Sequence, residues 1–153
     1  MVTALIILHV TVMFAATAIS QGPAFLLWRA MRGGDVPAIR AVLEQYGTLG
    51  KFIGPLYGGG VVIGLITVFV GGYDPFALWL LIAYGLTLVA FATPIVLLQP
   101  RVLRLAAAAG ASPLDAPSPE LRGEIARFAT PVFWIDAALI VLFIIDMIAK
   151  PGY

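Results

Sequence analysis

The chain has no cysteine and one histidine, and only 11% of its 153 residues are charged. Lack of cysteine excludes disulfides, thiolate metal sites, iron–sulfur clusters and covalent haem attachment of the c type. With one histidine, a zinc site built from protein ligands alone is not expected. There is no basic block. Net charge is +1, and the nine Lys and Arg residues lie scattered between apolar runs, so no nucleic-acid partner is expected. A GxGxxG phosphate loop, a P-loop, a nucleophile elbow and an HExxH zinc motif are all missing. No Lys or Arg precedes the first apolar run, so that run lacks the basic start of a signal peptide and is expected to remain as a helix.

What is present is apolar. Hydrophobic residues make up 61% of the chain and mean hydropathy is +1.03. A soluble domain carries about 25% charged residues, so composition alone makes this a membrane protein. A hydrocarbon core of about 30 Å needs about 20 apolar residues in a helix. Four runs qualify, over residues 2–28, 52–72, 76–98 and 128–149. Backbone groups in lipid must be satisfied internally, and the two-residue alternation of a barrel strand is absent, so these runs are expected to be helices. The expected fold is all-α, a single domain of four transmembrane helices.

The connections differ in kind. Between the first two runs, Asp35 is placed to cap a helix with Pro37 in its first turn. Val36, Ile39, Leu43 and Tyr46 recur at helical spacing, with Arg40 and Glu44 as an i,i+4 pair. This segment is expected to be an amphipathic helix lying on the membrane surface. The second connection is a tight turn, GGYDP. The third, rich in Pro, Ala and Ser, reads as a loop until Ser118, which caps a new helix with Pro119 in its first position. Arg29, Arg32, Arg40 and Lys51 lie in the first connection, and Arg101, Arg104, Arg122 and Arg127 in the third, whereas the turn has no basic residue. By the positive-inside rule, 29–51 and 99–127 are cytoplasmic and both termini lie outside. Trp28 and Tyr46 suit the inner interface, Tyr73 and Trp79 the outer one.

Proline falls near the expected cytoplasmic end of each helix, at Pro23, Pro55, Pro94 and Pro131, the last two within a repeated FATP. Proline removes a backbone hydrogen bond and bends a helix, and the preceding Thr93 and Thr130 are placed to satisfy freed carbonyls. The prolines either mark ordinary helix ends or form a ring of kinks that opens the bundle on the inner side.

His9, inside the apolar stretch LIILHVTVMF, is the first candidate for chemistry. Its helical face continues through Met13, Ala16, Thr17 and Ser20, a small or weakly polar stripe expected to face other helices. Ile7, Val10 and Phe14 are expected to face lipid. An unpaired imidazole in hydrocarbon costs several kcal/mol, so His9 needs an interhelical hydrogen bond, a tetrapyrrole or a role in proton relay. Asp136 lies about eight residues inside the fourth helix, and an intramembrane acid is a functional candidate. It either binds a proton or bonds Tyr57, Thr67 or Tyr84. Asp146 is four residues before Lys150, the spacing of an ion pair. In the second helix, Gly54 with Gly58 and Gly60 with Gly64 are both GxxxG spacings, which allow close helix approach or leave a slot for a flat ring.

The opening LIILHVTVMF, with an early Leu-His pair in a helix that ends at Trp28 and Arg29, resembles the start of small four-helix bacterial membrane families. These are the membrane protoporphyrinogen oxidase type (HemJ), the copper-resistance CopD-like domain and a related family of unknown function. The resemblance implies a bacterial cytoplasmic membrane and haem b on the first-helix histidine, here His9. The oxidase type also carries a basic residue within a later helix, whereas 76–98 has no charge. The expectation taken from the resemblance is therefore the scaffold and the haem, not the oxidase reaction.

Three functions follow as expectations. The first is a haem b or other tetrapyrrole protein with His9 as ligand and Met13 or Asp136 near the ring. One histidine supplies one axial bond, so a bis-His haem would need a homo-oligomer or a partner chain. The second is an accessory subunit of a larger membrane complex that uses its glycine-rich helix as a contact face. The third is a small proton-coupled transporter built on Asp136 and the proline kinks.

Overall fold

A computed structural model describes residues 1–128 and 131–151, with the backbone alone at 131–133 and 136. Its elements are α1 (Val2–Gly33), α2 (Val36–Val70), α3 (Leu78–Thr93), a π-helical turn (Pro94–Leu98), α4 (Gln99–Ala111), α5 (Pro119–Phe128) and α6 (Pro131–Ala149). No strand occurs among the described residues. Among the described residues three helical stretches are long and apolar enough to cross a membrane: Val2–Gly33, Val36–Val70 and Leu78–Ala111. Along them most large side chains point outward, as lipid-facing residues do, including Ile7, Val10 and Phe14 as expected.

The connections are more helical than expected. α1 has 32 residues and α2 has 35, so both run to about 50 Å, well beyond a hydrocarbon core of about 30 Å. They meet in a two-residue turn. Gly34 takes a left-handed φ of 65°, which glycine adopts without penalty, and the Asp35 amide bonds the Ala30 carbonyl at 3.1 Å. Asp35 then caps α2 as expected, its carboxylate accepting from the Ala38 amide at 2.9 Å. The expected separate surface helix is not seen. Residues 36–70 form one unbroken helix that passes through Lys51 and Pro55. Helical hydrogen bonding continues where hydropathy falls, running through Gly47 and Gly50 without a break. The 99–127 connection is likewise not a loop but α4 and α5 joined by a short bend. Its alanine run has the highest helix propensity of any residue type. Ser118 does cap α5, its hydroxyl accepting from the Leu121 amide at 3.2 Å, and with Glu120's own amide it holds the Glu120 carboxyl below the usual range.

These extensions build a small core at the arginine-rich end. Leu27, Ala30 and Met31 of α1 pack with Val36, Ile39 and Leu43 of α2, Leu105 and Ala109 of α4 and Leu121 of α5. The amphipathic face read from Val36, Ile39 and Leu43 is therefore real, but it is covered by protein rather than by headgroups. Arg40 closes this core. It does not pair with Glu44. Its Nε donates to the Ala109 carbonyl at 2.8 Å, and its Nη2 donates to the carbonyls of Gly110 and Ser112 at 3.0 and 2.6 Å. These carbonyls lie at the C-terminal end of α4, where the Ser112 amide also reaches Ala109 at 3.2 Å, so a cation from α2 helps to cap a distant helix.

Pro94 opens the π-helical turn. Proline brings no N–H, so the ladder widens, and the Gln99 amide bonds the Pro94 carbonyl five residues back. The Thr93 hydroxyl donates to Val89 at 2.8 Å. Thr130 lies outside the described residues. At the opposite end, Tyr73 and Trp79 meet edge to face at 5.9 Å and 87°, beside Val68 and Leu80.

Arg40→Ala removes this donor from three carbonyls at the end of α4 and is expected to lower stability by about 1.5–3 kcal/mol, the range for charge-assisted hydrogen bonds. Glu44→Ala is expected to change it by less than about 0.5 kcal/mol. Thermal melts followed by circular dichroism in detergent compare the two; equal effects would return Arg40 to the i,i+4 pair.

Candidate functional site

α1 and α2 are antiparallel and in closer contact than any other pair of elements. Their register brings the His9 stripe onto the glycines of α2. His9 lies against Gly64, Met13 against Gly60, and the Tyr57 hydroxyl reaches Thr17 Oγ1 at 3.2 Å. Further along, the Tyr46 hydroxyl donates to the Ser20 carbonyl at 3.3 Å, and Ala16 is fully buried between them. Every polar or small residue of the stripe thus faces the protein.

The approach is close enough to require glycine. A Cβ at Gly64 would lie 2.9 Å from His9 Cε1, and one at Gly60 would collide with the Met13 thioether. By contrast no described atom outside α2 lies within 4 Å of a Cβ built at Gly54 or Gly58. Of the two GxxxG spacings, the helical phase of α1 selects the second.

His9 Nδ1 lies 2.7 Å from the Gly60 carbonyl oxygen. A carbonyl only accepts, so Nδ1 carries a proton, and in the neutral ring Nε2 keeps the lone pair. Among the described residues no group bonds Nε2, and His9 is only half-buried. The bond therefore satisfies one ring nitrogen, while the ring lies along α2 with its edge against Gly64. This is how backbone carbonyls orient ligating histidines in metal sites. Sequence reading required a partner for His9 but did not find Gly60. The signal was available: His9 and Met13 share the four-residue spacing of Gly60 and Gly64 in an antiparallel pair.

The other candidates fall elsewhere. Asp136 sits on α6, and its side chain lies outside the described residues. No group of three or more His, Cys, Asp or Glu gathers into a metal site among the described residues. Asp146 makes no ion pair with Lys150. It is 5% exposed, and among the described residues neither its carboxylate oxygens nor the buried Trp79 Nε1 has a hydrogen-bond partner. The Lys150 ammonium instead stands 5.3 Å from the Trp79 ring centre and 5.5 Å from that of Tyr73.

The chain matches the family model described as predicted integral membrane protein (DUF2269) over residues 2–151. The chain belongs to this family. No curated protein and no solved structure matches it. Membership of DUF2269 agrees with the three apolar helices, and it makes the lipid bilayer the setting of the His9 site.

Gly60→Ala and Gly64→Ala are expected to destabilise the α1–α2 pair by about 1–3 kcal/mol through overpacking. Gly58→Ala, in open space, is expected to stabilise by up to about 1 kcal/mol through helix propensity. Unfolding in mixed detergent micelles measures both; a uniform response across the three glycines would remove the assigned interface.

Proposed function

We propose that this DUF2269 chain crosses a bacterial cytoplasmic membrane four times, with both termini outside, and binds a tetrapyrrole of the haem b type through Nε2 of His9. The hydrogen bond from Nδ1 to the Gly60 carbonyl supports this reading most. It puts a proton on Nδ1, holds the ring against Gly64 and, in the neutral ring, leaves the unshared pair on Nε2. The residues present fit one axial bond of such a group, and the absence of cysteine restricts attachment to non-covalent haem. Haem of this type supplies one-electron transfer when bound. The protein's part is to position the imidazole and to strengthen its basicity through the carbonyl behind it. A second axial histidine would come from another copy of the chain or a partner.

The fourth crossing is assigned to α6. Its 19 residues extend about 28 Å, close to the hydrocarbon thickness. The arginines on α4, α5 and the adjoining ends of α1 and α2 then lie on the cytoplasmic side. For the accessory-subunit reading, α1 of the same chain covers the Gly60 and Gly64 part of the contact face, which leaves the Gly54 and Gly58 part for a partner.

The test is an absorption spectrum of the protein purified from a haem-supplied bacterial membrane. A Soret band is expected in the native protein and absent from His9→Ala. His9→Gln retains a donor toward Gly60, so it is expected to keep the native melting temperature while losing the band. A band that survives either substitution, or no band in the native protein, would overturn the reading.

A further inference from the structure

At the arginine-rich end, α4 and α5 enclose a cavity of about 300 Å³ lined by Arg101, Arg104, Glu124, Arg127 and Phe128. Glu124 engages two of the three guanidinium groups. Its Oε1 accepts from Arg127 Nη1 at 2.8 Å and its Oε2 lies 3.6 Å from Arg104 Nε. Among the described residues Arg101 has no such partner, and its buried Nη1 has no acceptor. One carboxylate against three guanidinium groups leaves two uncompensated positive charges on the wall. An adjoining groove of about 550 Å³ shares Arg104, Glu124 and Arg127 and adds one further carboxylate, Glu120.

The depth of this cavity narrows the kind of anion. Arg101 lies 23 residues after Leu78 in a nearly continuous helical stretch, about 35 Å along it. The hydrocarbon core is about 30 Å thick, so Arg101 stands just beyond it, at the level of lipid headgroups. Guanidinium forks match phosphate oxygens in pairs, and basic pockets at the ends of membrane helices suit lipid headgroups. Phe128 gives the cavity one apolar wall.

We infer that this cavity binds a phosphate group through Arg101, Arg104 and Arg127, with Glu124 holding the latter two in place. The depth of Arg101 points to a phosphodiester of an anionic lipid; a soluble phosphate compound shares the same chemistry. The unmet Arg101 Nη1 is the group that such a phosphate satisfies.

The test uses the full chain in neutral detergent and native mass spectrometry, with three probes: dioleoylphosphatidylglycerol, dioleoylglycerol with the same tails and no phosphate, and glycerol 3-phosphate. The native protein is expected to retain phosphatidylglycerol and not the diacylglycerol. Arg101→Gln is expected to weaken retention about tenfold, the loss of one charge-assisted hydrogen bond. Arg127→Gln, at a more exposed side chain, gives the same direction without depending on how Arg101→Gln folds, and Arg122→Gln, outside the cavity, leaves retention unchanged. Glycerol 3-phosphate binding as tightly, with the same dependence on Arg101, would assign a soluble phosphate. Equal retention of the diacylglycerol, no retention of any probe, or retention unchanged in Arg101→Gln and Arg127→Gln with native circular dichroism would overturn the site.

Discussion

Contact between α1 and α2 at Gly60 and Gly64 determines where the one imidazole of this protein lies. In lipid there is no hydrophobic gain from bringing two apolar helices together, so association rests on close packing and on hydrogen bonds. Both occur at the same place. The missing side chains of two glycines admit Met13 and His9, and the close approach puts Nδ1 within 2.7 Å of a backbone carbonyl. A bulkier residue at Gly64 would displace the His9 ring that makes the hydrogen bond, and one at Gly60 would displace the Met13 side chain. The tautomer of His9, and so any ligand chemistry at Nε2, depends on this helix spacing.

The two ends of the long helices obey different physics. Along the spans, large side chains such as Phe14 and Phe69 point outward, where lipid replaces the protein interior. Beyond the spans, water restores the ordinary hydrophobic drive, and there the same helices gather Leu27, Ile39, Leu105 and Leu121 into a core that excludes solvent completely or nearly so. Continuous helices couple the two regions. A shift of α2 at Arg40 would be carried along a single rigid rod toward Gly60, about 30 Å away at 1.5 Å per residue. Arg40, by capping α4, therefore also fixes where α2 stands beneath His9.

Local signals were legible in the sequence and long-range ones were not. Asp35 and Ser118 act within three residues, so their capping roles could be read from spacing alone. The lipid face of Ile7, Val10 and Phe14 and the inward stripe through Met13 and Ala16 followed from helical period. The extent of the helices did not, because a hydropathy window ends where water begins, whereas backbone hydrogen bonding continues as far as propensity permits. Arg40 has a good local partner in Glu44, yet it bonds carbonyls about 70 residues away. Asp146 likewise has Lys150 at the right spacing, and the two aromatic rings of the α2–α3 end take the ammonium instead. In both cases a local pair was outcompeted by a tertiary contact that no spacing rule contains.

The same reasoning separates the two glycine pairs. As sequence, Gly54 with Gly58 and Gly60 with Gly64 are equivalent. They differ by six residues, more than one and a half turns at 3.6 residues per turn, so they point to different sides of α2. Only the side met by the His9 stripe becomes an interface. The histidine and the glycines therefore form one feature: Gly64 makes room for the ring, Gly60 supplies the carbonyl, and the turn at Gly34 sets the register that brings them level. Conversely, at Gly54 and Gly58 no other helix comes within van der Waals reach of an added methyl group among the described residues. The close approach at Gly60 and Gly64 thus arises from the partner face on α1, since an identical spacing without that face leaves the backbone uncovered.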